Sequence, residues 1–590
     1  MLRTTLSLAV LSAWSVIARS PYDIPKVEWD ALNSTVGGRL ARGTPFSRAC
    51  FSIVGANVTG AQSKDECAVI QGVYGSESHR VSKFGSAIEV SDTYMNTTRA
   101  DATGAKTQWE TCQKTNEGCL LNPSSPTDTN AFSSRTCHQG GISPYYIAVQ
   151  TAEDVSSAFA FSKRTGVPLV IKNSGVSRQM TRLYWAQPGS GYSGVTQNLK
   201  YIEHSAAFVP EGCNAPSAPV LTFGAGQDMG SLYEFAEQNN MTFIGGSGTT
   251  VGAAGGWVQG GGHSILSNKY GMGVDRVRQF RVVTPDGALR VANACQNTEL
   301  FWALRGGGGG TFGVVMEASI EIVPHPVPTI ALQWEISASL GNITAILGLI
   351  TNVASNSDKW VRDGWGGYIY PTYSVVANPS LNAEQARDSL KDLTDFLTRS
   401  GIKYRWYEFS TFKPLLETIV AAPIPIGVNA AIASRLVPAS KFLPAVKPLT
   451  IAQTLETFAL AAGKFAFFLT SPYNYNATEG ETSITPAWRD AIWHAVVLAD
   501  WAYDGSATTA KLAYTQVGLA IAPLRLLTPG GSSYQNEGDV YEPSWETSFW
   551  GPNYNRLLGI KQKYDPDGLL DCWHCVGWKG RNTPIASCYL

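Results

Sequence analysis

Glycine fills nine of the twenty positions in Gly245–Ser264, which reads GGSGTTVGAAGGWVQGGGHS. Lacking a Cβ, these residues accept positive φ and let main chain approach a ligand closely. Backbone N–H groups presented in this way can hold a diphosphate directly. The stretch has neither the lysine of a P-loop nor a clean strand–GxGxxG–helix layout, so taken alone it fits a flexible linker or a ligand cradle. A linker would be richer in Ser and poorer in Val and Trp. A second candidate lies at Tyr534-Gln535-Asn536-Glu537, which brings a carboxylate and a phenol together. A carboxylate there can deprotonate a hydroxyl or an amine if burial raises its pKa toward neutrality. The structural alternative is a glutamate bonded to backbone or to an arginine. Cys572-Trp573-His574-Cys575 has redox or zinc spacing, but the second CxxC of a zinc site is missing. We read it as a disulfide-closed turn and assign no metal ligands.

These residues need elements to position them. From Ile142 short apolar runs alternate with helical ones: SPYYIAVQ, TAEDVSSAFAFSKRTG, VPLVIKNSG, then APVLTFGAG, SLYEFAEQNN and the strand-like MTFI. Thr151 with Asp154 is a helix start, and Gly166 a stop. NTELFWALRGGGGGTFGVV, residues 297–315, predicts a helix, a glycine turn and a strand. PHPVP after Val323 marks a linker. Beyond it, strand-like LQWEIS and WGGYIYPTYSVVA alternate with amphipathic segments. In one of these, Ala383, Ala386, Leu390, Leu393 and Leu397 recur at helical spacing and share a face.

In order and spacing, VPLVIKNSGVS, the Gly245–Ser264 segment, NTELFWALRGGGGGTFGVV and SYQNEGDVYEPSWETSFWGPNYNRLLGIKQKYDPDGLL resemble the FAD-linked oxidases of the vanillyl-alcohol-oxidase type, in their berberine-bridge-enzyme-like branch. The resemblance covers residues 139–325 and 530–580, and the middle in outline. It implies an α+β fold: a two-subdomain FAD-binding domain of the PCMH type, plus an α+β substrate domain whose antiparallel sheet is covered by helices. The implied division is 1–20 signal peptide, 21–138 disulfide-rich extension, 139–325 FAD-binding domain, 326–525 substrate domain, and 526–590 a C-terminal segment returning to the FAD domain. The resemblance places FAD against Asn173, Ser174, Gly175, Val176 and Ser177, against Gly246, Thr250, Val251, Gly252, Gly255, Gly256 and Gly262, and against Val315 and Asn536. Glu537 and Tyr534 become the candidates for the substrate's proton as hydride leaves for the flavin. A valine at position 251 accompanies oxidases in this family, which points to O₂ as the electron acceptor.

The departures carry as much information. The family's Gly-His pair, whose histidine bonds to the flavin, is Gly175-Val176 here. The position of the second tether, a cysteine, is Gly248. Valine has no nucleophilic atom, so FAD is expected to bind non-covalently. His263 is common in the family as a structural residue and is not taken as a substitute tether. The expected activity is oxidation of a small alcohol, amine or secondary metabolite. A non-redox cyclase or isomerase, or a catalytically silent protein on the same scaffold, stands as the alternative.

Length and composition agree with this division. A chain of 590 residues exceeds what one core usually supports, and an apolar fraction of 44% argues for large cores. A net charge of −1 without charged runs makes nucleic acid and anionic membrane poor partners. Met1–Ser20 has one early arginine, a short apolar run and Val16-Ile17-Ala18, the pattern of a secretory signal too short to span a bilayer. Sequons begin at Asn33, Asn57, Asn96, Asn240, Asn342 and Asn476, so N-glycans and an extracellular location are expected. Ten cysteines should mostly pair there, and Cys112 and Cys119 could close a short loop.

Overall fold

The capping chemistry at Thr151 opens the first helix of the ordered core. Thr151 Oγ1 accepts from Asp154 N–H, the Asp154 carboxylate accepts from Thr151 N–H, and helix Ala152–Thr165 ends at Gly166 with φ +74°. The computed structural model describes residues 19–76, 79–80, 110–173, 192–336, 343–420, 428–442, 453–454, 457–458, 464–583 and 586–590. Ser174, Gly175, Val176 and Ser177, the sequons at Asn96 and Asn342, and residues 1–18 of the signal-like segment lie outside the described residues.

The architecture is α+β. Strands Leu40–Arg42, Tyr145–Ala148, Tyr192–Val195 and Leu169–Lys172 form one sheet in that order, the last three parallel. A five-stranded antiparallel sheet follows in the order Leu289–Asn293, Val277–Val283, Val314–Glu321, Ala218–Gly224 and Ile202–Phe208. Helices Met229–Gln238 and Thr298–Leu304 bury Leu232, Tyr233, Leu300 and Phe301 in the same core as Phe223, Phe280 and Ile320 of this sheet. The strand expected over MTFI reduces to a single bridge from Thr242 to Val323. Its apolar residues Met241, Phe243 and Ile244 are buried by packing instead of by strand pairing.

The third sheet has seven antiparallel strands, in the order Lys403–Phe409, Thr329–Glu335, Tyr373–Asn378, Gly366–Ile369, Lys464–Leu469, Ala491–Trp501 and Asn429–Pro438. The expected run WGGYIYPTYSVVA is thus a hairpin turning around Pro371. Strand alternation gives the sheet two faces. Trp493, Ala495 and Val497 pack with Val353 and Val517, which belong to helices Ile343–Arg362 and Ala507–Leu527. Val496, Phe468 and Tyr368 share the core of the five-stranded sheet. His494 therefore comes from the face turned toward the glycine-rich segment.

Two expectations need correction. The helix read across Ala383–Leu397 is broken at Leu390 into Ala383–Ser389 and Lys391–Arg399, where Lys359 Nζ takes the Ser389 carbonyl at 3.1 Å. Ala386, Leu390, Leu393 and Leu397 nevertheless share one buried face. Cys112 and Cys119 do not pair with each other. All ten cysteines are oxidised, as Cys50–Cys67, Cys112–Cys588, Cys119–Cys137, Cys213–Cys295 and Cys572–Cys575. Cys119 is taken by Cys137 because the two segments run together, His138 N–H donating to Gly118 O at 3.1 Å. The N-terminal part holds more regular structure than its patternless text predicts, with helices Lys26–Thr35 and Lys64–Val73.

The C-terminal segment is fastened to the glycine turn after Leu304. Helix Tyr554–Tyr564 carries the buried Lys561, whose ammonium donates to Thr311 O at 2.7 Å, Leu570 O at 2.8 Å and Asp565 Oδ2 at 2.5 Å. That set satisfies all three donors of a charge that would be costly to bury unpaired.

Candidate active site

Beyond Gly252 the glycine-rich segment coils through Ala253–Gly260 and then turns at Gly261 and Gly262, with φ of +136° and +78°. Only glycine takes these values without strain. The turn delivers His263 to the gap between the five-stranded and seven-stranded sheets. On the other side, Ser532 and Ser533 run along strand Asn429–Pro438, Ser533 Oγ donating to Ser434 O at 2.6 Å and Leu436 N–H to Ser532 O at 2.8 Å. The next four residues fold into a tight turn closed by Glu537 N–H on Tyr534 O at 2.9 Å.

That turn meets the glycines directly. Asn536 Nδ2 donates to Gly256 O at 2.9 Å and to the Tyr534 hydroxyl oxygen at 2.6 Å, which also accepts weakly from Gly262 N–H at 3.4 Å. Gln535 Nε2 donates to Gly260 O at 3.2 Å and Gly306 O at 2.5 Å. Three residues adjacent in sequence, Tyr534 to Asn536, thus hold both glycine turns. Their identity reflects this: an amide supplies donors that orphaned glycine carbonyls need.

Glu537 sits at the centre of the polar group. His263 Nε2 lies 3.3 Å from Glu537 Oε1, and His494 Nε2 lies 3.7 Å from Oε2. Around them stand Phe468, Trp488 and Tyr534, with His263–Tyr534 and His494–Trp488 ring centres each 5.4 Å apart. Burial pushes the His494 imidazole down to about 3, against the opposing pull of Glu537, so it is neutral at physiological pH. Burial, reinforced by the Glu537 charge, holds the Tyr534 phenol well above its ordinary value. Tyr534 therefore stays protonated and can donate, but it is a poor base.

The sequence had not marked His494. It is a lone histidine inside the apolar run AIWHAVVLAD, and only the strand's alternation distinguishes its face. His263 was set aside as structural, yet the fold makes it a direct neighbour of Glu537.

Of the residues expected to hold the cofactor, Asn173, Gly255 and Val315 line one small cleft, together with Thr196, Ala225 and Gln259. Asn173 Nδ2 donates to Thr196 Oγ1 at 3.1 Å, and a Cβ on Gly255 would stand 2.9 Å from the Asn173 amide. Gly246 accepts from Tyr233 Oη at 2.5 Å and lies against Trp257, where a Cβ would meet the indole nitrogen at 2.9 Å. Gly252 forms a bridge with Asp228, and Val251 O accepts from Met229 N–H at 2.9 Å, which fixes the turn carrying Thr250. The buried Thr250 Oγ1, Gln259 Oε1 and Thr311 Oγ1 have no hydrogen-bond partner among the described residues. Buried polar atoms are normally satisfied, so donors and acceptors of a bound group fit here. Of these three, Gln259 Oε1 lines the cleft, where a polar group of FAD would satisfy it.

Comparison with known proteins agrees. The FAD binding domain family matches residues 143–293, and the family described as berberine and berberine like matches residues 533–572. The FAD-linked oxidoreductase ffsJ of Aspergillus flavipes is 34% identical over 591 residues, covering 94% of this chain and 92% of its own. The chain belongs to the berberine-bridge-like branch of the vanillyl-alcohol-oxidase-type flavoproteins. This berberine-like protein is an FAD-dependent oxidoreductase. Its fold is shared with the VAO-type flavoproteins MtVAO713 (TM-score 0.80, 21% identity, 95% of this chain and 97% of that one) and MtVAO615 (TM-score 0.76, 23% identity, with the same coverages), both from Myceliophthora thermophila C1.

Proposed function

We propose that this oxidoreductase dehydrogenates a small alcohol, amine or secondary metabolite and passes the electrons to O₂, with Glu537 as the base. Bound FAD supplies the hydride acceptor. Glu537 takes the proton of the substrate's O–H or N–H group, and His263 at 3.3 Å orients the carboxylate and shares the charge change. Tyr534, kept protonated, donates a hydrogen bond to the same substrate heteroatom. The observation that carries the assignment is the placing of this carboxylate, by the Asn536–Gly256 contact, at the end of the glycine segment that lines the cleft.

The FAD is held without a covalent bond, since Val176 and Gly248 stand at the two tether positions. Asn173, Gly255, Gln259 and Val315, which line the cleft, would hold it, and the family resemblance adds Ser174, Gly175, Val176 and Ser177 to that set. The division at 139–325 and 326–525 is proposed on the same grounds, the first holding the cofactor and the second roofing the substrate with its seven-stranded sheet. Secretion is supported by the signal-like start and by the pairing of all ten cysteines. Exposed asparagines at 57, 240 and 476 are open to glycans. No helix among the described residues is long and apolar enough to cross a membrane.

The deciding measurement is anaerobic mixing of the yellow protein with a panel of alcohols and amines. Bleaching of the flavin band, followed by H₂O₂ release on admitting air, is the expected result. Turnover without bleaching would point to the cyclase or isomerase reading.

A further inference from the structure

We propose that His263, His494 and Glu537 form a binding site for one divalent ion of the Zn(II) class, and that the bound ion shuts the active site. One ligand atom from each residue lies within 4.8 Å of the others. The His263 Nε2–Glu537 Oε1 separation is 3.3 Å and the His494 Nε2–Glu537 Oε2 separation 3.7 Å. Metal–ligand bonds of about 2.0–2.2 Å in a tetrahedron set neighbouring donors roughly 3.3–3.6 Å apart, so these two separations need little change and the third pair, within 4.8 Å, closes by a side-chain rotation. Two imidazoles with a carboxylate make a three-residue set that leaves a coordination position open. Imidazole donors favour zinc, copper and nickel over magnesium and calcium.

A second observation points the same way. His494 is wholly buried, and neither of its ring nitrogens has a hydrogen-bond partner among the described residues. A buried unsatisfied ring nitrogen is unfavourable, and a metal ion would satisfy it. The aromatic walls of Phe468, Trp488 and Tyr534 supply the shell that keeps competing water away.

Coordination occupies a lone pair of Glu537, so the carboxylate no longer takes a proton while the ion is bound. No electron moves, and removing the ion restores the site. This consequence rests on Glu537 being the base, whereas ion binding itself does not.

The flavin-loaded protein, first stripped with chelator, is dialysed against Zn(II), Co(II) or Mg(II). One equivalent of Zn(II) is expected to bind, Co(II) to give the visible bands of a tetrahedral imidazole-containing site, and Mg(II) not to bind. His494→Gln and His263→Gln should each weaken Zn(II) at least about 100-fold. Absence of stoichiometric Zn(II) in the parent protein, or unchanged affinity in both variants, overturns the site. If a variant loses its flavin, the Co(II) spectrum of the parent decides, and octahedral bands without imidazole character refute the ligand set. Anaerobic reduction by substrate should stop with Zn(II) bound and return with EDTA. Undiminished reduction in the zinc-loaded protein would overturn the shutting role and the base assignment together, while leaving the binding result intact.

Discussion

The side-chain amide of Asn536 donates to the carbonyl of Gly256 at 2.9 Å, across 280 residues of sequence. It joins the C-terminal turn to the glycine segment and fixes where the next side chain, Glu537, can reach. The same amide holds the Tyr534 hydroxyl, so one residue positions both that phenol and the turn bearing the carboxylate that we propose as the base.

Replacing the carboxylate tests that alignment. Glu537→Gln keeps the size and hydrogen-bonding capacity but removes the basic atom. Loss of a positioned base typically costs about 10²- to 10⁴-fold in rate. The variant should keep its flavin and melting temperature and slow anaerobic reduction within that range. An unaltered rate, measured by stopped flow, would move the proton to another group.

Attachment of the cofactor is tested by denaturation. With Val176 and Gly248 at the tether positions, trichloroacetic acid should leave FAD fluorescence in the supernatant. Fluorescence on the denatured band in a gel would reveal a bond at some other residue.

The cleft should not tolerate a side chain at Gly255. A Cβ there stands 2.9 Å from both Cγ and Oδ1 of Asn173, closer than real Cβ contacts come. Asn173 cannot retreat without leaving Thr196. Gly255→Val should fold, judged by circular dichroism, and purify colourless. A fully yellow variant would place the flavin elsewhere.

Stability should depend on pH through Lys172. Burial lowers its ammonium to about 8 from an ordinary 10.5, and the charge on Glu110 only partly opposes this. Between those values the unfolded chain holds a proton that the folded one does not, so this lysine's burial is least costly above pH 10.5. Its burden grows as pH falls through that window, by about 1.4 kcal/mol per unit, and levels off below pH 8. Lys172→Met should raise the melting temperature at pH 7 and lose most of that gain near pH 10. A gain independent of pH would mean that Lys172 is charged in the folded protein throughout.

Removing Cys112 and Cys588 together as serines should cost about 2–5 kcal/mol. Flavin should remain bound, because neither cysteine lies in the cleft. Thermal melts followed by flavin fluorescence provide the comparison.

What the sequence disclosed follows from which interactions are local. Thr151, Asp154 and Gly166 cap a helix within one chain segment, so its ends were legible. The glycines at 246 and 255 were legible as positions of close approach, where a Cβ would meet Trp257 and Asn173 at 2.9 Å. His494 was not, since its meaning comes from facing Glu537 in a turn distant in sequence, and no spacing within AIWHAVVLAD encodes that. Disulfide partners were hidden for the same reason: Cys112 finds Cys588 at a sequence separation of 476, while Cys119, close by, goes to Cys137. MTFI looked like a strand because burial and pairing leave the same apolar signature, and only the fold separates them.

The Cys112–Cys588 bond has one further effect. It turns most of the polypeptide into a covalent ring, with Lys114 N–H on Cys588 O at 2.9 Å beside the closure. Cutting any one peptide bond within that ring leaves a single molecule with both new ends still tethered. Met by a protease, the molecule thereby survives a first nick with its two halves held together, and it takes a second cut to release a fragment.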